Sequence, residues 1–282
     1  MAFTLSHMAA ALPFCRCQRW VSFEALLIGT MLPDLPYFLN AEPAVGQYSH
    51  EWIGIFTYCL PWGLAAFILW YWLCRPAALA LIQPWCNVQP VKQPAILPHE
   101  VQYPFGLWLA SKLKQYGLFW LKVMAGLMLG AMTHLLWDGT THPDGFIAMQ
   151  LGWLQYPVNV SYLGQMPVAR LLQYLTSIVG LGLLVKCAAI RLTLKKQSGI
   201  HVKQQKTELS KWQSGLIIIL LCLCSLFWGL HAAIEWHKLL LKDSYLFTAK
   251  VLVGLLQGAA GLFILYASLR WIILKLKAIQ RT

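Results

Sequence analysis

Long apolar runs separated by short polar intervals dominate this chain. A helix needs about 20 apolar residues to cross a bilayer core of about 30 Å. Five stretches reach that length: residues 53–74, with no charge; 117–137, interrupted only by Lys122 and His134; 171–190; 215–234; and 251–269. A sixth stretch, 21–32, is too short. It contains Glu24 and stops at Pro33-Asp34, so it reads as a re-entrant or interfacial helix. Residues 3–14 read as a short helix capped by Thr4 or Ser6 and ended by Pro13. Six prolines between 76 and 104 predict a loop over 75–116, relieved by an interfacial helix over 105–116.

The expected fold is all-α: a polytopic membrane protein with about five transmembrane helices and a short re-entrant or interfacial helical N-terminal region. Residues 1–282 then form a single membrane domain. Its parts are the N-terminal region 1–52, the first three spans in 53–190, a basic loop 191–213 and the last two spans in 214–282.

Composition agrees with this. Hydrophobic residues make up 59% of the chain, charged residues only 11%, and the mean hydropathy is +0.58. A soluble domain carries about 25% charged residues, so that class is excluded. The net charge of +12 raises nucleic acid as a partner, but the basic residues sit mainly in loops between spans, and loop 191–213 shows no aromatic interleaving or motif that would make it a nucleic-acid site. They carry topology instead. Loops 75–116, 191–213 and 270–282 hold fourteen Lys and Arg, whereas 1–52, 138–169 and 235–250 hold five. The positive-inside rule puts the first group in the cytoplasm and the second on the opposite face. Residues 1–52 thereby share a side with the end of the second span. The expected partners are membrane lipids, with no nucleic acid. The first residues lack a basic region, so no secretory signal is expected. The eight cysteines suggest no disulfide framework.

The chemistry gathers on that shared side. His134, Asp138 and His142 are four apart, a spacing that stacks side chains on one helical face. Neutral imidazole and ionised carboxylate are both good metal ligands; the alternative is a helix end whose polar groups reach the water interface. Asp34 sits between Pro33 and Pro36, which stiffen the backbone around it. His7 lies in the first predicted turn, and His50 immediately precedes the first span. His7, Asp34, His50, His134, Asp138 and His142 are the candidate ligands of a divalent metal (zinc, manganese or iron), with Asp138 and His142 the candidate catalytic pair. Six such groups suit two ions, or one ion with supporting partners. Arg170 opens the third span with Gln173 and Ser177; it is a candidate for binding an anionic substrate group or an interfacial anchor. His231 and Glu235, four apart at the end of the fourth span, read as interface residues that are also placed to add ligands.

The segments Phe3-Thr4-Leu5-Ser6-His7, Ile28-Gly29-Thr30-Met31-Leu32-Pro33-Asp34, Ser49-His50, Leu60-Pro61-Trp62-Gly63-Leu64 and Gly130-Ala131-Met132-Thr133-His134-Leu135-Leu136-Trp137-Asp138 with Thr141-His142 closely resemble one bacterial integral-membrane family, domain-of-unknown-function family 4184. The resemblance runs from residue 3 to about 180 and fades afterwards. The layout is also similar to inner-membrane metal-dependent hydrolases, with an early His, a Pro-Asp, a His before a span and a His-x-x-x-Asp helix end. These resemblances imply a bacterial inner-membrane protein.

A divalent ion in such a site lowers the pKa of bound water and stabilises charge on a phosphoryl or acyl oxygen. The expected reaction is hydrolysis. The interfacial location suggests an amphiphilic substrate such as a phospholipid or lipid-linked precursor. The alternatives are a non-catalytic scaffold with a polar or metal-stabilised core, and a cation transporter. Against transport, the ionisable groups gather near one face and no inverted repeat is visible.

Overall fold

The computed structural model describes residues 4–85, 105–161, 164–197 and 208–280. A 3₁₀ helix, Thr4–Arg16, opens the chain. Three short helices follow: α1 (Phe23–Gly29), α2 (Leu35–Phe38) and α3 (Pro43–Ser49). The long elements are α4 (Trp52–Ile82), α5 (Phe105–Thr141), α6 (Val168–Gln197), α7 (Lys211–Glu235) and α8 (Ser244–Ile279). All five contain stretches long and apolar enough to cross a membrane. In α7 only 11% of the most apolar window is buried within the protein. Leu223, Leu226, Phe227 and Leu230 of that helix are exposed. An apolar surface of this extent requires lipid around it, so the chain is an integral membrane protein.

The structure corrects several element boundaries. The first span runs on to Ile82 rather than stopping at Cys74. It tolerates Pro61 and Pro76 because each follows a π-helical turn, Ile55–Cys59 and Trp70–Cys74. A proline ring collides with the carbonyl four residues back, here Thr57 and Trp72, and the widened turns give those carbonyls room. Residues 105–116 are not a separate interfacial helix, since α5 is continuous to Thr141. Pro13 lies inside the first helix rather than ending it. An antiparallel hairpin, β1 (Pro157–Val160) with β2 (Gly164–Pro167), stands where only a loop was expected. His99, Glu100 and Cys86 lie outside the described residues.

The chain divides into two compact units, Met1–Phe67 with Pro104–Cys187, and Ile68–Tyr103 with Ala188–Thr282. In the second, α7 and α8 touch backbone to backbone. A Cβ on Gly254 would lie 2.8 Å from Trp228 O, and one on Gly258 would lie 2.7 Å from Cys224 O. This is the small-residue crossing common between membrane helices. Trp85 Nε1 donates to Ser214 Oγ (2.8 Å), which donates to Leu81 O (2.6 Å).

Candidate metal centre

The centre is built in the first unit, where α1 lies against α5. Ser22 caps α1, accepting from Ala25 N–H, and its own N–H donates to Lys122 O at 3.0 Å. Glycines then let the two backbones meet. A Cβ would fall 2.6 Å from Ser22 O at Gly126, 2.4 Å from Leu127 O at Gly29, and 2.3 Å from Leu26 O at Gly130. This contact carries the residue after α1 to the histidine on α5: His134 Nδ1 donates to Thr30 O at 2.7 Å.

His50, Asp34 and His142 have supports of their own. His50, just past α3, directs Nδ1–H at Gly46 O, 2.8 Å away. Buried Ser49 ties the same turn to the Pro33 segment by donating to Pro33 O (2.6 Å) and Gly46 O (2.8 Å). Asp34 stands at the N-cap of α2 yet makes no capping bond. Its Oδ2 instead accepts from the Thr4 hydroxyl at 2.5 Å, which leaves Oδ1 directed inward. The helical bond from His142 N–H to Asp138 O, 2.9 Å, carries the four-residue period past the end of α5.

These supports aim the free atoms at one another. Asp34 Oδ1 lies 3.4 Å from His50 Nε2 and 3.9 Å from His134 Nε2. Asp138 Oδ2 lies 3.2 Å from His134 Nε2 and 3.7 Å from His50 Nε2. Asp34, His50, His134 and Asp138 each offer one ligand atom, all within 4.8 Å of one another. On the other side, Asp138 Oδ1 lies 3.4 Å from both His7 Nε2 and His142 Nδ1. The His7 ring stacks on His134 with centroids 4.1 Å apart.

Relative exposures are 0% for His134, 1% for Asp34 and 6% for His7. The buried atoms Asp34 Oδ1, His134 Nε2 and Asp138 Oδ1 have no hydrogen-bond partner. A buried, unpartnered charge costs several kcal/mol. With Nδ1–H of His50 and His134 committed to carbonyls, their Nε2 atoms present lone pairs to carboxylate lone pairs. A cation among them resolves that repulsion. Ligands around a tetrahedral ion at about 2.0–2.1 Å stand about 3.3 Å apart, close to the separations seen here. The residues therefore fit a metal ion.

The protonation of His7, His142 and Asp34 agrees. Burial, with His134 stacked against it, pushes His7 down to about 3. Burial likewise lowers His142. Burial raises the Asp34 carboxyl, but His134 and His50 outweigh it and hold the group below the usual carboxylate range. Neutral imidazole and ionised carboxylate are the forms a metal takes.

A cavity of about 410 Å³ opens onto the cluster. Its lining includes Asp34, Tyr37, His50, Asp138, His142 and Asp144. Close packing at Gly46 seats the Tyr37 ring, where a Cβ would come within 2.8 Å of the phenolic oxygen. Burial, then Asp34, raises the Tyr37 hydroxyl, which stays protonated. Among the described residues, no Lys or Arg lines the cavity.

The six candidate ligands singled out in the sequence thus converge. Arg170 does not line the cavity; it is half-buried at the start of α6. His231 and Glu235 are an exposed pair 4.0 Å apart on α7, in the second unit. Sequence reasoning missed the supports Thr30 and Gly46, which act through backbone carbonyls and leave no residue-type signal. Thr4 was read only as a helix cap, and Ser49 and Gln173 were visible as polar residues without an assigned task. Gln173 Nε2 lies 2.8 Å from His142 Nε2.

A family model described as Domain of unknown function (DUF4184) matches residues 1–268, well beyond residue 180. Nothing matching the chain occurs among curated proteins or solved structures. The chain belongs to the DUF4184 family.

Proposed function

We propose that this member of the DUF4184 family is a metal-dependent hydrolase that acts at the membrane interface on a lipid or lipid-linked phosphoester. The observation that supports the reading most directly is the convergence of unpartnered buried ligand atoms beside an open cavity: Asp34 Oδ1, His134 Nε2 and Asp138 Oδ1. On the loop charges, the site faces the non-cytoplasmic side of a bacterial inner membrane.

Asp34, His50, His134 and Asp138 would hold zinc, manganese or iron. A bound ion of this kind supplies an acidified water and a Lewis acid for the scissile phosphoryl group. The chain does the rest. Thr30 and Gly46 keep the Nε2 lone pairs of His134 and His50 available by accepting the Nδ1 hydrogens. Thr4 holds the Asp34 carboxylate by its outer oxygen. Asp138 and His142 border both the cluster and the cavity, so they would contact a water and a substrate held there. Tyr37 presents a protonated phenol to the cavity and can donate to a developing oxyanion. Arg170 is not among the cavity-lining residues, which supports the interfacial-anchor reading over contact with the substrate.

The test is elemental mass spectrometry of detergent-purified protein, wild type and Asp138→Asn, followed by phosphate release from lipid phosphoesters. Near-stoichiometric metal that falls in the variant, with turnover abolished by chelation and restored by metal, is the expected result. A folded wild type that takes up no metal overturns the reading. Metal without turnover on any lipid phosphoester overturns the enzymatic part and leaves a metal-stabilised membrane scaffold.

A further inference from the structure

We propose that the centre holds two divalent ions side by side, with Asp138 bridging them, and that the second ion makes the cavity a site for an anionic phosphoester. This deepens the metal-dependent reading above and rests on it.

The geometry divides at Asp138. One carboxylate oxygen, Oδ2, faces His134 Nε2 (3.2 Å) and His50 Nε2 (3.7 Å), and Asp34 Oδ1 completes that set. The other, Oδ1, faces His7 Nε2 and His142 Nδ1, each 3.4 Å away. Two imidazoles therefore address each oxygen. Each imidazole of the second set lies as close to its Asp138 oxygen as those of the first, and that oxygen, Oδ1, is buried without a hydrogen-bond partner. His7 is 6% exposed and sits beneath the cluster, stacked on His134, with its Nδ1 also unpartnered. A buried imidazole aimed at a carboxylate oxygen that no hydrogen bond satisfies is a ligand in waiting. A carboxylate shared through both oxygens suits ions about 3.5–4 Å apart, the spacing of two-metal phosphoester hydrolases.

Gln173 fits this arrangement. For Nδ1 of His142 to offer a lone pair, Nε2 must carry the hydrogen and find an acceptor. The Gln173 amide lies 2.8 Å from Nε2. With its carbonyl end turned to that atom it does for His142 what the Thr30 and Gly46 carbonyls do for His134 and His50.

Charge then sets the substrate class. Asp34 and Asp138 cancel one divalent ion, Asp144 adds a further negative charge, and no Lys or Arg among the described residues lines the cavity. With one ion the pocket repels a phosphate. With two it is net positive and places an ion on each side of an in-line displacement.

The test uses full-length protein in detergent, stripped with chelator and titrated with Mn²⁺, bound metal being counted after dialysis and examined by electron paramagnetic resonance. Two ions per wild-type chain with an exchange-coupled spectrum are expected. His142→Ala should keep one ion and lose the coupling; Asp34→Asn should weaken the other ion. One uncoupled ion in folded wild type overturns the second site while the single-metal reading stands. No bound ion overturns both. Because wild type alone decides the count, a variant that fails to fold does not obscure the answer. A wild type that binds two ions yet binds inorganic phosphate no more tightly with two than with one overturns the assignment of substrate class.

Discussion

Gly130→Ala is the sharpest probe of how the fold builds the centre, because it adds one methyl and alters none of the six candidate ligands. That methyl would lie 2.3 Å from Leu26 O, 2.7 Å from Gly29 Cα and 2.7 Å from Thr30 N, whereas ordinary contact begins at 3.4 Å. All three are backbone atoms, so no side chain can swing away. The α1 segment must retreat by roughly 1 Å, and overpacking of this kind costs about 1–3 kcal/mol. The same retreat stretches the 2.7 Å bond between His134 Nδ1 and Thr30 O beyond hydrogen-bond range. Loss of an outer support typically lowers metal affinity by about 10–100-fold. Thermal unfolding in detergent reads the first effect, and competition with a fluorescent chelator reads the second. Gly117→Ala is the matched control. It lies on the same helix with nothing within 4 Å of its Cβ, and should stabilise by about 0.5–1 kcal/mol with unchanged metal binding. A Gly130→Ala protein that holds metal as tightly as wild type would refute the claim that the helix crossing positions His134.

Thr4→Val removes the hydroxyl that donates to Asp34 Oδ2; a bond to a charged acceptor contributes about 1.5–3 kcal/mol, so metal affinity should drop by about tenfold or more, and unchanged affinity in a titration would count against that role. His7 and His142 are held below the ordinary imidazole value and Asp34 below the ordinary carboxylate value, so the unfolded chain binds more protons than the folded one as pH falls. Metal-free protein should therefore lose stability progressively from about pH 6.5, a loss that continues through the carboxylate range; a melting temperature that is flat or rises on acidification contradicts the buried, neutral imidazoles. Ser214→Ala strands the Trp85 indole N–H and Leu81 O, costing about 1–3 kcal/mol without touching any of the six clustered residues; metal content measured per folded chain should stay at the wild-type level.

Much of this was legible in the sequence, and the reasons are physical. A bilayer imposes so simple a length and polarity rule that residues 215–234 identify α7 almost to its ends. The period of the helix by itself makes His134, Asp138 and His142 neighbours. The parity of the spans put residues 1–52 at the same end, where the structure brings His7, Asp34 and His50 to the second span. What could not be read was whatever depends on backbone atoms. Thr30 serves through its carbonyl, so its side chain gives no hint of the task. Gly29 and Gly130 meet from distant parts of the chain, and a lone glycine does not name its partner. Pro76 read as the start of a loop because a widened turn, which absorbs the ring without breaking the helix, has no residue signature.

The bond between Thr30 and His134 spans 104 positions of sequence, and that separation has a consequence for biosynthesis. At about 5–20 residues per second, roughly 5–20 s pass between synthesis of the two partners. Once residue 50 has been made, His7, Asp34 and His50 are all on the growing chain but have nothing to close against until His134 follows. On the metal-dependent reading proposed above, an ion would be captured fully only after α5 has entered the membrane, which would make loading a late event in assembly. Once captured, it would tie the first 50 residues to a helix that begins beyond residue 100, as a covalent cross-link would. The metal-loaded protein should then resist proteases at its amino-terminal segment, and stripping the ion should release that segment first.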